Sequence, residues 1–154
     1  MVGCTKPQPP SNTDAKPEVT SIGVVKATPR ETKVDRGQSA EANVRLEIKN
    51  GYHLNANPPT FSYLIPAQLN VSPAAGITID SVTYPNAVTK KFSFADQPLA
   101  VYEGEIDLKV RLSAAKSTPV GVHNLSAKLR VQACDDQVCY APGTIDLTLP
   151  VNVK

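Results

Sequence analysis

Four long segments of this sequence alternate apolar and polar side chains with a period of two. In the first, Val44, Leu46 and Ile48 are apolar, whereas the residues between them, Arg45 and Glu47, are charged. The same alternation recurs in three later segments: Ile106–Leu112, Leu125–Ala133 and Ile145–Val153. A period of two is that of a β-strand with one buried and one solvated face. Since no segment shows a capped helical stripe, strands must build the fold.

Shorter apolar runs add further strand candidates. These are Val19–Lys26, Gln68–Val71, Ile77–Tyr84 and Lys91–Phe94. Turn-forming pairs such as Asn50-Gly51 and Pro142-Gly143 interrupt the apolar runs. Seven to nine strands without helices predict an all-β fold, an immunoglobulin-like antiparallel β-sandwich. Tryptophan is absent and no cysteine pair is spaced to bridge two sheets, so we expect this architecture without the disulfide of antibody domains.

Length and charge limit the organisation and the partners. A chain of 154 residues can bury one full core but is short for two, so we expect a monomeric domain over residues 18–154 and a flexible tether over residues 1–17. The formal net charge of +2 comes from interleaved acidic and basic residues without a basic stripe, so nucleic acid is not an expected partner. No run approaches the ~18 apolar residues of a membrane span.

The first residues resemble the start of a bacterial lipoprotein that lacks its hydrophobic signal region. Gly3 precedes Cys4, and a polar, proline-rich stretch follows. In that interpretation Cys4 is lipidated and the stretch is a tether from the membrane surface. The alternative is that Met1 is an expression start and Cys4 an incidental thiol.

Cys134 and Cys139 flank a polar four-residue connection that we predict to be a hairpin tip. Residues facing each other across an antiparallel pair are close enough for a disulfide. Closing so short a loop stabilises a fold by only ~2 kcal/mol, and an exposed bridge is open to attack by a thiolate. Thiol–disulfide exchange is therefore favoured. A plain structural bridge remains an alternative, and a zinc site with His53 and His123 is disfavoured by the C-x4-C spacing.

Two carboxylates follow the first cysteine of this pair directly. The negative charge of Asp135 and Asp136 should raise the pKa of a nearby thiol and disfavour its thiolate. Such thiols suit a pair that receives attack from a more reactive partner. The equally weighted alternative is that both aspartates are ordinary turn residues.

Three segments resemble the N-terminal domain family of the transmembrane reductase DsbD. They are the cysteine hairpin Val131–Pro142, the loop Lys49–Leu54 and the segment Val101–Glu105. The resemblance implies an immunoglobulin-like periplasmic domain of a protein-disulfide reductase system that relays electrons between thioredoxin-fold proteins without a cofactor. It implies that Cys139 forms the mixed disulfide with a partner and that Cys134 resolves it. The domain would belong to a larger inner-membrane protein or to a lipoprotein.

The resemblance also implies a cap loop whose aromatic residue shields the disulfide. Phe92 and Phe94 are the candidates, although a spacing of two also fits residues of a strand that face the core. Tyr52, His53 and Tyr140 are expected to line the site. His53, which stands where the family commonly has an aromatic residue, could assist proton transfer or be an ordinary polar surface residue.

Other departures from the family pattern are a cysteine spacing one residue shorter and Ala141-Pro142 in place of the common Pro-Pro. The main rival interpretation is a non-catalytic periplasmic binding module with a structural hairpin disulfide. Copper handling is poorly supported because the chain has one methionine and two scattered histidines. No nucleophile elbow or HExxH motif indicates a hydrolase.

Overall fold

The computed structural model describes residues 19–154. Within this range the chain forms twelve strands and one single-turn 3-10 helix, Ile22–Val24. The strands are β1 (Val25–Pro29), β2 (Thr32–Val34), β3 (Ser39–Ile48), β4 (His53–Asn55), β5 (Gln68–Val71), β6 (Ile77–Thr83), β7 (Val88–Lys90), β8 (Leu99–Tyr102), β9 (Glu105–Ala114), β10 (Gly121–Val131), β11 (Ala133–Cys134) and β12 (Gly143–Val153). The predicted tether and Cys4 lie outside the described residues. No helix of the described part is long and apolar enough to cross a membrane.

Two four-stranded sheets form the sandwich. Their strand orders are β1-β3-β9-β6 and β2-β12-β10-β5. Alternate residues of the long strands point inward and meet in one core, in which Leu46, Leu108 and Leu129 are fully buried. This packing confirms the predicted all-β, immunoglobulin-like sandwich. One pairing departs from the antiparallel rule, because β2 runs parallel to β12.

A third sheet, which we call the end sheet, has the order β11-β4-β8-β7. Its strands extend those of the sandwich: β4 follows β3 after a turn in which Gly51 has a φ of +89°, and β8 leads into β9. β11 continues β10 after a break at Gln132. Because β3 and β10 belong to different large sheets, the end sheet joins both of them at one end of the sandwich. The cysteine hairpin grows from this end.

The strand count and two boundaries differ from the prediction. Twelve strands occur in the described residues instead of seven to nine, since strands of two to four residues are too short to show a period. The predicted strand Val19–Lys26 is wrong for Val19–Val24, because Gly23 N donates to Thr20 O at 3.1 Å in a turn that leads into the 3-10 helix, and the strand begins only at Val25. The predicted strand Lys91–Phe94 is wrong: β7 ends at Lys90, and a turn closes where Ala95 N donates to Phe92 O at 3.2 Å.

Candidate functional site

The cysteine hairpin is closed by backbone pairing, by one aspartate and by a disulfide. Cys134 and Cys139 face each other as an antiparallel bridge, are joined by a disulfide, and have Cα atoms 3.9 Å apart. Asp135 N donates to Val138 O at 2.9 Å. The Oδ1 atom of Asp135 accepts hydrogen bonds from the backbone N–H groups of Gln137 and Val138, both at 2.8 Å. The aspartate therefore holds the tip in the turn that brings the two cysteines together.

The two cysteines differ sharply in exposure. Cys134 is 0% exposed, whereas Cys139 lies on the surface beside Val138, which is 51% exposed. Cys134 is buried because β11 is inserted beside β4 in the end sheet. A thiolate arriving from solvent can approach the sulfur of Cys139, whereas the sulfur of Cys134 is shielded by the domain.

His53 lies directly opposite Cys134 in the β4–β11 pair. Its side chain is 1% exposed, and its ring stacks on Phe92 with centroids 4.1 Å apart and an interplanar angle of 18°. Burial lowers the pKa of His53, so the neutral imidazole is favoured. The Nε2 atom is buried, and no hydrogen-bond partner for it occurs among residues 19–154. The alternative interpretation of His53 as a polar surface residue is wrong, because the end sheet encloses it.

The segment between β7 and β8 lies over His53 and the cysteine hairpin. Phe92 is 4% exposed, and Phe94, which is 39% exposed, has its ring 5.3 Å from that of Phe92. Ser93 Oγ donates to the backbone oxygen of Asp136 at 2.9 Å. This bond ties the segment to the cysteine hairpin. The two phenylalanines therefore lie on a turn over the site, and their alternative placement in a strand is wrong.

A cavity of about 330 Å³ opens beside Cys139. Its lining combines aromatic and apolar residues (Phe61, Tyr63, Leu64, Phe94, Ala95 and Leu99) with Asp96, Gln97 and Cys139. Phe61 and Tyr63 stack with centroids 5.3 Å apart, and Tyr63 is 76% exposed. Phe94 and Cys139 were predicted site residues, whereas Phe61, Tyr63, Leu64 and Leu99 were not predicted from the sequence. The aromatic pair spaced by two in a proline-rich loop was the available signal.

Tyr140 and Tyr52 flank the hairpin. Tyr140 Oη donates to Asp135 Oδ2 at 2.6 Å, which raises the pKa of Tyr140 to about 12 and lowers the pKa of Asp135. The rings of Tyr52 and Tyr140 lie 6.2 Å apart. Asp135 thus has a structural task in the turn, whereas Asp136 is exposed and contributes its backbone oxygen to the bond from Ser93.

Two polar residues that were not predicted from the sequence, the buried Ser21 and the half-buried Gln132, support the hairpin through hydrogen bonds. Ser21 Oγ donates to Ala141 O at 2.6 Å and accepts from Ala133 N at 3.0 Å. Gln132 Nε2 donates to Tyr140 O at 3.2 Å. Ser21 carries no signal in the sequence, because its partners are more than a hundred residues away along the chain.

Charged residues surround the buried ring of His53 at the edge of the end sheet. Lys90 and Glu103 form an ion pair with an N–O distance of 2.8 Å. Glu103 immediately follows Tyr102, the β8 partner of Leu54, so continuing the register by one residue places it beside His53. Among residues 19–154 no group of three or more His, Cys, Asp or Glu side chains is arranged to hold a metal ion.

The comparisons with known proteins agree with this geometry. Residues 24–150 match the family described as thiol:disulfide interchange protein DsbD, N-terminal. The chain belongs to the DsbD N-terminal family. This confirms the resemblance seen in the cysteine hairpin.

Two relatives of this DsbD N-terminal domain are informative. The thiol:disulfide interchange protein DsbD of Haemophilus ducreyi is 27% identical over 115 residues, which cover 75% of this chain and 17% of that protein. The N-terminal periplasmic domain of ScsB from Proteus mirabilis superposes with a TM-score of 0.52 and 13% identity, over 83% of this chain and 45% of that one. At that identity the likeness to ScsB shows a shared fold. The chain spans a small part of the full-length DsbD that it matches.

Proposed function

We propose that this domain relays electrons between thioredoxin-fold proteins by reversible exchange of the Cys134–Cys139 disulfide. A partner thiolate attacks Cys139 Sγ, a mixed disulfide forms, and the bond between the two cysteines breaks with its electron pair leaving on Cys134. In the opposite direction Cys134 attacks Cys139 Sγ and releases the partner as a thiol. The observation that carries the proposal is the difference in exposure: Cys139 is on the surface, whereas Cys134 is 0% exposed.

The surroundings of Cys139 support a protein as the partner. Tyr63 and Phe94 are exposed at the cavity that Cys139 also lines, and Val138, next to Cys139 in the chain, is exposed as well. Exposed aromatic residues of this kind are enriched in protein interfaces, where they form the central, buried part of the contact. Phe94 would shield the disulfide from small thiols until a partner displaces it, while Phe92 stays packed on His53.

The test is trapping with matched cysteine variants. In a Cys4→Ser background, Cys134→Ser leaves Cys139 free to form a lasting mixed disulfide, and Cys139→Ser leaves only the buried Cys134. Each is incubated with a bacterial thioredoxin whose resolving cysteine is changed to serine and whose attacking cysteine carries a thionitrobenzoate disulfide. The thiol of the domain displaces thionitrobenzoate to form the mixed disulfide, and adducts are counted by mass. We expect the adduct with Cys134→Ser and little or none with Cys139→Ser. Equal yields from the two variants, or no adduct from either, would contradict the proposal.

The reduction potential separates this relay from a non-catalytic binding module with a structural bridge. A relay has to lie within reach of other exchange proteins, whereas structural disulfides lie below about −300 mV. Equilibration of the Cys4→Ser domain against dithiothreitol and glutathione buffers, followed by alkylation and mass measurement, gives the value. A pair that stays oxidised in strongly reducing buffer favours the binding module.

We also place the domain in the periplasm, attached to the inner membrane through a lipidated Cys4 or as part of a larger membrane protein. Support comes from the family and from the polar, proline-rich stretch after Cys4. Labelling of cells with tritiated palmitate tests the lipid. Label on the natural chain and its loss in Cys4→Ser are expected, whereas an unlabelled natural chain would rule out the lipoprotein anchor.

A further inference from the structure

His53, Cys134 and Cys139 form a row across three neighbouring backbone segments. His53 faces Cys134 across the β4–β11 pair, and Cys134 faces Cys139 across the hairpin. Residues directly opposite each other in an antiparallel pair share a face of the sheet, with Cβ atoms about 4.5–5.5 Å apart. The side chains of His53 and Cys134 therefore project from the same face of the end sheet as direct neighbours, and Cys134 is the cysteine that solvent does not reach.

With the disulfide formed, the Nε2 atom of His53 has no hydrogen-bond partner within the described part of the chain. The ring is 1% exposed, and a buried nitrogen that makes no hydrogen bond carries a cost in free energy. Stacking on Phe92 holds the ring in place. An unpaired polar atom at such a position calls for an explanation, and reduction of the disulfide supplies one, because it turns Cys134 Sγ into a thiol that can donate to Nε2.

Cys134 also needs a proton acceptor. Burial in apolar surroundings raises the pKa of a thiol, because it disfavours the charged thiolate. Cys134 is 0% exposed, so water and buffer bases reach its sulfur poorly. Resolution of a mixed disulfide nevertheless requires the thiolate.

We propose that His53 accepts the proton of the Cys134 thiol as Cys134 attacks the mixed disulfide on Cys139. This inference rests on the proposed exchange function. The S–H bond of Cys134 breaks, its proton moves to Nε2, and the sulfur lone pair forms the bond to Cys139 Sγ. The bond between Cys139 and the partner sulfur breaks, and its electron pair leaves with the partner as a thiolate. The imidazolium then returns its proton to that thiolate or to water, so the domain is oxidised and the partner reduced.

The electrostatic surroundings suit a neutral base. Burial has the largest effect and lowers the pKa of His53. Glu103, Asp136 and Asp135 oppose this, because their negative charges raise the pKa, whereas Lys90 lowers it further. The ring is therefore uncharged near neutral pH, and the carboxylates around it can stabilise the imidazolium that forms during the step.

The test follows both cysteines in one reaction. The reduced Cys4→Ser protein is mixed with one equivalent of 5,5′-dithiobis(2-nitrobenzoate). Attack by Cys139 releases one thionitrobenzoate, and attack by Cys134 on the resulting mixed disulfide releases a second, each seen by absorbance. His53→Phe keeps a ring for the stack on Phe92, and His53→Asn keeps a hydrogen-bonding group. His123→Asn is the matched control. His123 lies near the start of β10, at the opposite end of that strand from the cysteine hairpin, and its ring bonds Pro119 O.

We expect the second release to slow by ~100-fold in both His53 variants near neutral pH, the lower end of general acid–base catalysis. The first release and the His123→Asn variant should be unaffected. In the Cys4→Ser protein with His53 intact, the rate of the second release should fall as the pH drops through the pKa of His53. In the variants it should rise with hydroxide concentration and approach the natural rate at high pH.

The outcomes separate the two proposals. An unchanged second rate and pH profile in both His53 variants would overturn the role of His53 and leave the order of attack at Cys139 intact. If the Cys4→Ser protein with His53 intact released one thionitrobenzoate and no second, both the exchange function and the inference would be overturned. Circular dichroism and the rate of the first release show whether each variant is folded.

Discussion

The large sandwich sheets and the small end sheet bury different kinds of residue. In β3, β9, β10 and β12 every buried side chain is apolar. The three-residue strand β4 buries His53 and Asn55, and each has a side-chain atom without a hydrogen-bond partner among residues 19–154. In these four sandwich strands the same holds for one atom, Asn43 Oδ1 in β3, but Asn43 as a whole is only partly buried. Apolar packing stabilises the domain but supplies no reactive group. Buried polar groups lower the stability unless they are hydrogen-bonded, but they can take part in a reaction. The difference teaches that stability and reactivity occupy separate parts of this fold.

Truncation of a core leucine should give the largest effect on stability. Leu129→Ala in β10 removes a 0% exposed side chain, so the free energy of unfolding should fall by about 2–5 kcal/mol. Denaturant unfolding measures the loss, and Arg130→Ala, on the exposed face of the same strand, is the matched control. If the folded Leu129→Ala protein also exchanged with glutathione at a changed rate, the separation between sandwich and end sheet would be broken.

Reduction of the disulfide should lower the free energy of unfolding by less than the Leu129→Ala substitution does. The bond closes a short loop, and the chain-entropy estimate for such a loop is ~2 kcal/mol. The sandwich core does not include the hairpin tip, so we expect the reduced Cys4→Ser domain to stay folded. Unfolding with and without dithiothreitol gives the difference, and the variant with both Cys134 and Cys139 changed to serine shows any effect of the reductant itself. Loss of the fold on reduction would instead identify a structural staple.

The sequence predicted the sandwich well because its long strands repeat one rule. Alternation over ten residues, as in β3, leaves little ambiguity about strand or face. The cysteine hairpin could also be located, since turn residues and paired cysteines are local signals. The end sheet could not be predicted, because β4 and β11 are two or three residues long and are defined by partners distant in sequence.

The same limit explains the individual residues. The strand predicted at Lys91–Phe94 rested on an apolar spacing of two, yet Phe92 is buried against His53 from a turn. Burial of His53 follows from its register opposite Cys134, which no local pattern encodes. Ser21 supports the hairpin through two hydrogen bonds across the fold and is equally silent in the sequence.

Removal of the exposed cap residue should separate reactivity from stability most clearly. Phe94 is 39% exposed, so Phe94→Ala should change the free energy of unfolding by less than ~1 kcal/mol. Because its ring borders the cavity beside Cys139, reduction of the disulfide by dithiothreitol should become roughly several-fold faster. Val120→Ala, another exposed apolar residue, is the control. An unchanged rate in Phe94→Ala would remove Phe94 as the shield.

The smallest expected effect concerns the turn itself. The hydroxyl of Tyr140 is the largest cause of the lowered pKa of Asp135, followed by the backbone N–H groups of Val138 and Gln137. Tyr140→Phe should therefore raise the pKa of Asp135 without returning it fully to its ordinary value. An NMR titration of the Asp135 carboxyl carbon measures this, and Tyr63→Phe, which removes an exposed hydroxyl elsewhere, should leave it unchanged.

The sign of the accompanying stability change follows from linkage. Since the folded pKa of Asp135 is depressed, its bonds contribute stability above the unfolded pKa, and this contribution is lost as the pH falls through the folded pKa. Tyr140→Phe should narrow the pH range between the folded and unfolded pKa values of Asp135, over which this stability is lost. For Tyr140, whose pKa is raised to about 12, the contribution is present below its ordinary pKa and is lost as the pH rises through about 12. If the pKa of Asp135 were the same in Tyr140→Phe and in the natural chain, the backbone N–H groups of Val138 and Gln137 alone would account for its lowered value. The reactive hairpin would then be held by side-chain to backbone hydrogen bonds, as an ordinary surface turn is.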